Sequence, residues 1–323
     1  MKTILTRLAA FALCALLLAA PMAPMAAEGD ALTEEEYKQI EGSLSDDSKE
    51  IPVTEEFRFK VDPDDLSIAE GLNEDWVNIL LLGTDAIGGP LNYGRTDTMI
   101  ILSVNKVTGK MRLASLVRDM YVKLPLVGWE NRINTANTFG GPLLAVKTVN
   151  ELFGLNIRNY VSINFSGFRR VIDSLGGVFL KLKPTECQLV KIPYKEEGQV
   201  LNGEQALAYV RIRALDDNFG RNDRQRKLLT SLFNKMLNES TMQQAMGALT
   251  ESLRHMATNL SINDLLTLVV PVFGGMETMD TAGFPAEGDY KGQMLENGMS
   301  VVLFDQEATT RKLHAYLFEG VMP

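Results

Sequence analysis

Apolar residues gather into short blocks from residue 77 onward. Three come in quick succession, at 77–82, 98–104 and 111–117, each rich in Val, Ile, Leu or Met, as buried β-strands are. The turn between the second and third, Asn105-Lys-Val-Thr-Gly109, ends in Gly and predicts a β-hairpin. The period then lengthens. Residues 142–153 (PLLAVKTVNELF) read as a helix, with Pro at the start and Gly154 just past the end. Residues 160–165 alternate like a strand. Ser166 is placed to cap a helix that gathers Phe168, Val171, Ile172 and Leu175 on one face before Gly176-Gly177. Residues 178–182 and 209–213 read as further strands, the latter carrying Arg211 and Arg213 on one face. A helix from about Arg221 buries the stripe Leu228, Leu229, Leu232, Phe233, Met236 and Leu237. Beyond it the signal fades to a capping box, Ser261 and Asp264, before residues 265–270, a late strand at 301–304 and a closing helix at 309–318. Strands alternating with helices predict an α/β sandwich, and the hairpin makes its sheet mixed.

The first 75 residues follow another pattern. Lys2 and Arg7 precede an apolar run at 8–20, and a small-residue segment follows at 21–27, which is the layout of an export signal. The apolar stretch 8–27 is 20 residues long, so it is read either as a cleaved signal peptide or as a signal-anchor. Residues 28–75 hold 17 Asp or Glu against 4 Lys or Arg, more negative charge than the formal −9 of the whole chain. This acidic stretch is read as an extracytoplasmic linker, with residues 57–61 (FRFKV) as a segment able to dock on the folded part. The expected location is the outer face of the cytoplasmic membrane, or outside the cell if the signal is removed. Cys187 is the only cysteine after the signal, which excludes an intrachain disulfide and a Cys-rich metal site.

Charged residues stand at the ends of the first three strands. Asp85 follows the first, Arg95 and Asp97 precede the second, and Arg118 and Asp119 close the third. If the three are antiparallel in turn, these residues meet at one edge of the sheet, where loops in α/β proteins commonly carry sites. A second polar group is predicted from Arg211, Arg213, Arg221 and Gln225. Arg221 and Gln225 continue the buried stripe of their helix at its N-terminal end, where free N–H groups already favour an anion. A structural salt-bridge network with Asp216, Asp217 or Asp223 is the competing reading, and Arg224 and Arg226 are expected to be surface charges.

Together the two groups supply bidentate guanidinium donors matched to phosphate oxygens, and two carboxylates too few to cage a cation alone. Mg²⁺ is commonly held that way, by one or two carboxylates, phosphates and water. A diphosphate fits this set better than a single phosphate does. No P-loop or dinucleotide fingerprint occurs, so a lipid diphosphate outside the cytoplasm is the expected ligand. His255 and His314 have no partners at ligand spacing and are read as structural.

The motifs GTDA, GRTDTM, LVRDMYV, RINTANTFGG, LNGEQALAYVRIR and FGRNDRQ, in this order, resemble the LytR-CpsA-Psr family of bacterial cell-envelope enzymes over residues 76–237, with a family-like C-terminal end beyond. The resemblance implies a three-layer α/β/α sandwich as the catalytic domain, residues 76–320. It implies a phosphotransferase that moves a glycopolymer, of teichoic acid or capsule type, from an undecaprenyl diphosphate carrier to peptidoglycan. Asp85 and Asp97 would hold Mg²⁺ (or Mn²⁺), and Arg95, Arg118, Arg211, Arg213, Arg221 and Gln225 would bind the diphosphate. Asp97, Arg118 and Asp119 are the expected catalytic residues, with Asp97 or Asp119 able to take the acceptor's proton. The polyprenyl tail should lie in an apolar groove between sheet and helices. The expected partners are the lipid-linked glycan, the peptidoglycan acceptor and the membrane surface, with no nucleic acid, and the expected state is a monomer. A lipid diphosphate hydrolase and a non-catalytic lipid- or glycan-binding regulator of the envelope are the alternatives.

Overall fold

The computed structural model describes residues 58–85, 93–212, 218–238, 256–261, 264 and 279–323. Its centre is built from the three strands expected, β1 (Trp76–Thr84), β2 (Thr96–Asn105) and β3 (Met111–Leu116). β2 is antiparallel to both neighbours, so β1 and β3 end at the same edge. The Asn105 side chain caps the β2–β3 turn by accepting from the amides of Val107 and Thr108 at 3.0 and 2.8 Å. β4 (Tyr121–Lys123) and β5 (Glu130–Arg132) form a separate hairpin just beyond that edge.

Helix α1 (Ala136–Phe153) breaks its geometry at Gly140 and Gly141, so its regular part starts at Pro142 as expected and ends at Gly154 in the left-handed conformation. β6 (Asn159–Asn164) lies parallel to β1. Helix α2 (Phe165–Ser174) is capped by Asn164, whose side chain accepts from Gly167 N–H, rather than by Ser166, whose hydroxyl donates to Asn164 instead. β7 (Val178–Leu180) does not join the central sheet. Among the described residues it pairs with β8 (Gln199–Leu201) alone, on the other side of helix α3 (Pro184–Val190).

The alternation at 209–213 does not make a strand. Helix α4 (Gly203–Val210) runs through Tyr209 and stops with Arg211 as its C-cap. The physical reason lies upstream, in the reciprocal capping box of Asn202 and Gln205 ahead of an Ala- and Leu-rich turn. Helix α5 (Asn218–Asn238) follows.

β9 (Met256–Thr258) pairs antiparallel with β6, and β10 (Met279–Phe284) pairs parallel with β3. The mixed six-stranded sheet has the order β10-β3-β2-β1-β6-β9. The hairpin β11 (Tyr290–Met294) and β12 (Ser300–Phe304) leads into α6 (Gln306–His314). Ser261 and Asp264 make the reciprocal bonds of a capping box, while residues 265–270 lie outside the described residues.

Side chains on one face of the sheet, among them Leu80, Leu82, Met99, Ile101, Ala114 and Leu116, pack against α1 and against Leu313, Tyr316 and Leu317 at the chain's end. The other face is covered by α2, α4 and α5, which share a second apolar cluster. The result is a three-layer α/β/α sandwich.

The acidic stretch divides differently from the expected boundary at residue 76. Val61 and Leu66 are buried in the main core, with Phe59 and Ile68 against it. Lys147 Nζ reaches Asp65 and Ser67, each at 2.8 Å, and Asn150 donates to the Leu66 carbonyl. Residues 58–75 are therefore a strap on the domain, because the apolar positions between their carboxylates reach its core. The signal segment and residues 28–57 lie outside the described residues.

Candidate active site at the sheet edge and an apolar cavity behind it

The register of β1 against β2 positions the first carboxylates. Gly83 pairs with Thr98 but Thr84 pairs with Thr96, leaving Asp97 as the extra residue of a β-bulge. A bulge re-aims a side chain, and here it sets Asp97 beside Thr98 on the side of α5. Gly83 is required opposite, since a Cβ there would stand 2.9 Å from that of Thr98.

Asp85 ends β1, with its amide donating to the Arg95 carbonyl at 3.1 Å and its carboxylate 3.4 Å from Arg95 Nε. Burial, and then the nearby Asp97 charge, push the Asp85 carboxyl up from its ordinary 3.8, against the pull of Arg95.

β3 delivers Arg118 and Asp119, both buried. Arg118 donates to Asp97 Oδ1 through one terminal nitrogen, and its Nε lies 3.4 Å from Asp119. Arg132 reaches Asp119 from the other side at 3.9 Å. Arg132 is brought there by the chain folding back, with Ile133 and Asn134 amides donating to the carbonyls of Met120 and Arg118. The asparagines of this turn also hold the opposite strand. Asn137 donates to the Gly94 carbonyl at 2.6 Å, and Thr96 donates to the Asn134 carbonyl at 3.3 Å.

From above, α5 contributes Arg221 and Gln225, both buried, with Gln225 Nε2 3.5 Å from the Asp97 carbonyl. Arg211 stacks its guanidinium over the Phe165 ring, 4.2 Å from the centroid. The structure therefore brings Asp85, Arg95, Asp97, Arg118, Asp119, Arg211, Arg221 and Gln225 to one edge. Arg213 lies outside the described residues, and with α4 helical the expected pairing of Arg211 and Arg213 on one strand is withdrawn.

Two further expectations change. Arg224 is buried and donates to the Ile212 carbonyl at 2.7 Å, with Glu186 at 4.0 Å, while Arg226 is mostly covered and pairs with Asp223. Neither is a surface charge. Arg132 escaped the sequence reading, although its motif, RINTANTFGG, was conspicuous. Its place opposite Asp119 depends on a turn that no periodicity reports. His314 bonds to the Phe153 carbonyl at 2.7 Å, a structural role as expected, and His255 lies outside the described residues.

Behind this edge lies an apolar cavity of about 250 Å³. Its floor is the sheet face of Ile79, Leu81, Ile100, Leu102, Val161 and Ile163, and its roof is formed by α2, α4 and α5. Asp97, Thr98, Asn164, Arg211, Arg221 and Gln225 are its polar members. It extends from them as far as Val104, Met111 and Met279 at the opposite end of the sheet.

The residues present suit a hard divalent cation. Asp85 and Asp97 are close enough for the charge of one to raise the pKa of the other, a repulsion that a cation would relieve. Among the described residues no group of three His, Cys, Asp or Glu could cage a metal. Two carboxylates completed by phosphate and water oxygens match Mg²⁺ rather than a softer metal.

A long apolar cavity ending in a carboxylate and guanidiniums, on an α/β/α scaffold, has the shape and charge that suit an amphiphile with an anionic head. The chain belongs to the LytR-CpsA-Psr family, whose model (LytR_cpsA_psr family) matches residues 33–315. It is 37% identical over 225 residues to the "polyisoprenyl-teichoic acid--peptidoglycan teichoic acid transferase TagU" of Oceanobacillus iheyensis, covering 67% of this chain and 69% of that one. The protein of the same name from Enterococcus faecalis is 32% identical over 253 residues, with coverages of 74% and 78%. Among solved structures, TagT bound to LIIa-WTA superposes with a TM-score of 0.63 at 25% identity, over 79% of this chain and 94% of that one.

Proposed function

We propose that this protein is a cell-envelope phosphotransferase. It moves a glycopolymer of the teichoic acid or capsule type from an undecaprenyl diphosphate carrier to peptidoglycan, leaving a phosphodiester link. The observation that carries the reading is the apolar cavity with Asp97, Arg211, Arg221 and Gln225 at one end. A polyprenyl chain in the cavity would bring its diphosphate among those residues, and the names of the transferase relatives agree with that substrate.

In the reaction, a hydroxyl oxygen of the acceptor attacks the sugar-bearing phosphorus of the diphosphate. The bond from that phosphorus to the bridging oxygen breaks, lipid monophosphate leaves, and the hydroxyl proton is released. Arg118, Arg211, Arg221 and Gln225 bind the phosphate oxygens and stabilise the charge that builds on them. Arg213, from its place in the motif, is assigned to the same task. Asp85 and Asp97 would hold Mg²⁺ (or Mn²⁺), which when bound neutralises diphosphate charge and polarises the phosphoryl group. Arg95 keeps Asp85 in place. Asp119, between Arg118 and Arg132, holds both guanidiniums at the edge, a positioning role in preference to that of the base.

The reaction takes place outside the cytoplasm, with the N-terminal segment as the export signal. Among the described residues no helix is long and apolar enough to cross a membrane.

The test is turnover of a short-chain polyprenyl diphosphate disaccharide, with and without Mg²⁺ and with peptidoglycan as acceptor, by the wild type, Asp97→Ala and Arg118→Ala. We expect metal-dependent transfer, reduced by roughly 10²–10³ in each variant, the scale of losing one transition-state charge contact. Release to water without transfer would make it a hydrolase. Binding without turnover under every condition would sink the enzyme reading.

A further inference from the structure

We propose that Trp129 and Tyr93 form a shelf that binds the sugar residues next to the diphosphate of the lipid-linked donor. This rests on the function proposed above and adds to it a glycan subsite.

Large apolar side chains are seldom left open in a group without a purpose. Trp129 is 48% exposed and Tyr93 37%. Both rings are nevertheless fixed. Trp129 packs edge-on against Phe139, with centroids 5.9 Å apart, and Tyr93 carries the Arg58 guanidinium 4.2 Å from its centroid. The two are joined by the strap, since the Phe59 amide, next to Arg58, donates to the Phe139 carbonyl at 2.8 Å. Tyr93 also runs close beneath the kink of α1, where a Cβ on Gly141 would lie 3.6 Å from its ring. Rigid, half-open aromatic rings with polar tips suit a ligand with one apolar face and many hydroxyls. A pyranose has that character, because its axial C–H bonds share one side of the ring.

Position supplies the second argument. Tyr93 precedes Arg95 by two residues, and Trp129 stands just ahead of β5, the strand that carries Arg132 to Asp119. Each ring therefore stands within three residues of a charge at the edge, on the segment that leads into it. The shelf also lies on the far side of the sheet edge from the cavity. Phe139, Phe59 and Val127 belong to the core on the α1 face, whereas the cavity is roofed by α2, α4 and α5. A donor with its lipid in the cavity and its diphosphate across the edge therefore emerges on the α1 side, with its first sugars at the shelf. A membrane surface would explain exposed aromatics too, but the charges following them into the edge, Arg95 and Arg132, are those that surround the proposed diphosphate site.

The test uses the full chain with Trp76→Phe, so that emission comes from Trp129 alone, titrated with short-chain polyprenyl diphosphate bearing either no sugar or a pyranose disaccharide. We expect both to bind, a change in Trp129 emission with the disaccharide ligand only, and about tenfold tighter binding of it. Trp129→Ala and Tyr93→Ala should erase that affinity difference and raise KM for the donor without raising it for peptidoglycan, and Trp129→Tyr should restore part of it. Equal binding of the two ligands with unchanged emission would overturn the shelf and leave the diphosphate site standing. Binding of neither would overturn both. An emission shift with phosphatidylglycerol vesicles but none with the disaccharide ligand would overturn the shelf in favour of a membrane-seating surface.

Discussion

The two faces of the central sheet are both apolar and are built from the same strands, yet only one of them closes. Leu80 and Ile101 face α1 with no exposure, and the residues around them interlock. Their sequence neighbours Leu81 and Leu102 face α2, α4 and α5 and retain some exposure to the cavity, while Ile79 and Ile100 on the same floor are fully covered. Protein interiors ordinarily fill such space, because an unfilled cavity forfeits dispersion contacts. On the function proposed above, the open face is a binding surface enclosed by the fold, while the closed face carries the stability. The charged edge lies where the open face ends, which suits the proposed chemistry on an amphiphile.

Truncation should separate the faces most sharply. Ile101→Ala, on the closed face, is expected to cost about 2–5 kcal/mol of unfolding free energy, read from urea denaturation. Leu102→Ala, its neighbour on the open face, should cost about 1 kcal/mol or less, since less contact is lost. Equal losses would mean that the cavity is ordinary core.

Filling is the reverse experiment. Ala114→Phe, on the closed face, should overpack it and destabilise by about 1–3 kcal/mol. Val161→Phe, on the cavity floor, should leave the melting temperature nearly unchanged and raise KM for long-chain donors about tenfold relative to short-chain ones.

A smaller effect belongs to the strap that covers part of the closed face. Lys147 holds the Asp65 carboxyl below its ordinary 3.8 by a hydrogen bond and by charge. A depressed carboxyl contributes stability that is present above pH 3.8 and is lost as pH falls through its folded value. The Lys147 ammonium is raised above 10.5 by Asp65 and Glu151, against its own burial, so its contribution is lost only in strong alkali. Lys147→Met should therefore flatten the fall of melting temperature below pH 4 and leave the profile between pH 5 and 9 unaltered in shape. A variant profile that parallels the wild type below pH 4 would remove the pair from the account.

The smallest effect is chemical. Cys187 is buried in the cluster under the open face's roof, and burial pushes its thiol up. It should resist alkylation at pH 8 in the folded chain and react fully in urea, with no change when a polyprenyl ligand fills the cavity.

Much of this arrangement was legible in residue order. The three strands, the hairpin and the regular part of α1 follow from apolar runs and turn residues, and Asp85, Asp97, Arg118 and Asp119 follow from where those runs stop. The apolar stripe of α5 placed Arg221 and Gln225 inward. Residues 209–213 misled, because five alternating positions cannot outweigh a capping box just upstream. The docking of Phe59 and Val61 was legible in the apolar positions of residues 57–61, but acidity concealed the rest of the strap, whose Leu66 and Ile68 are too sparse to register against the carboxylates around them.

The sequence by itself determined the α/β class, the strand ends that carry charge and the family to which the chain belongs. Each of these is local, set by periodicity, by turn chemistry or by a string of contiguous motifs. The tertiary structure alone decided which apolar face stays open, that a one-residue bulge turns Asp97 toward the cavity, that Arg132 closes on Asp119, and that Arg112, near the start of β3, is buried against Trp76 and the Leu317 carbonyl. These depend on contacts between segments far apart in the chain, and an apolar residue has the same identity whether its neighbour is another side chain or an empty cavity.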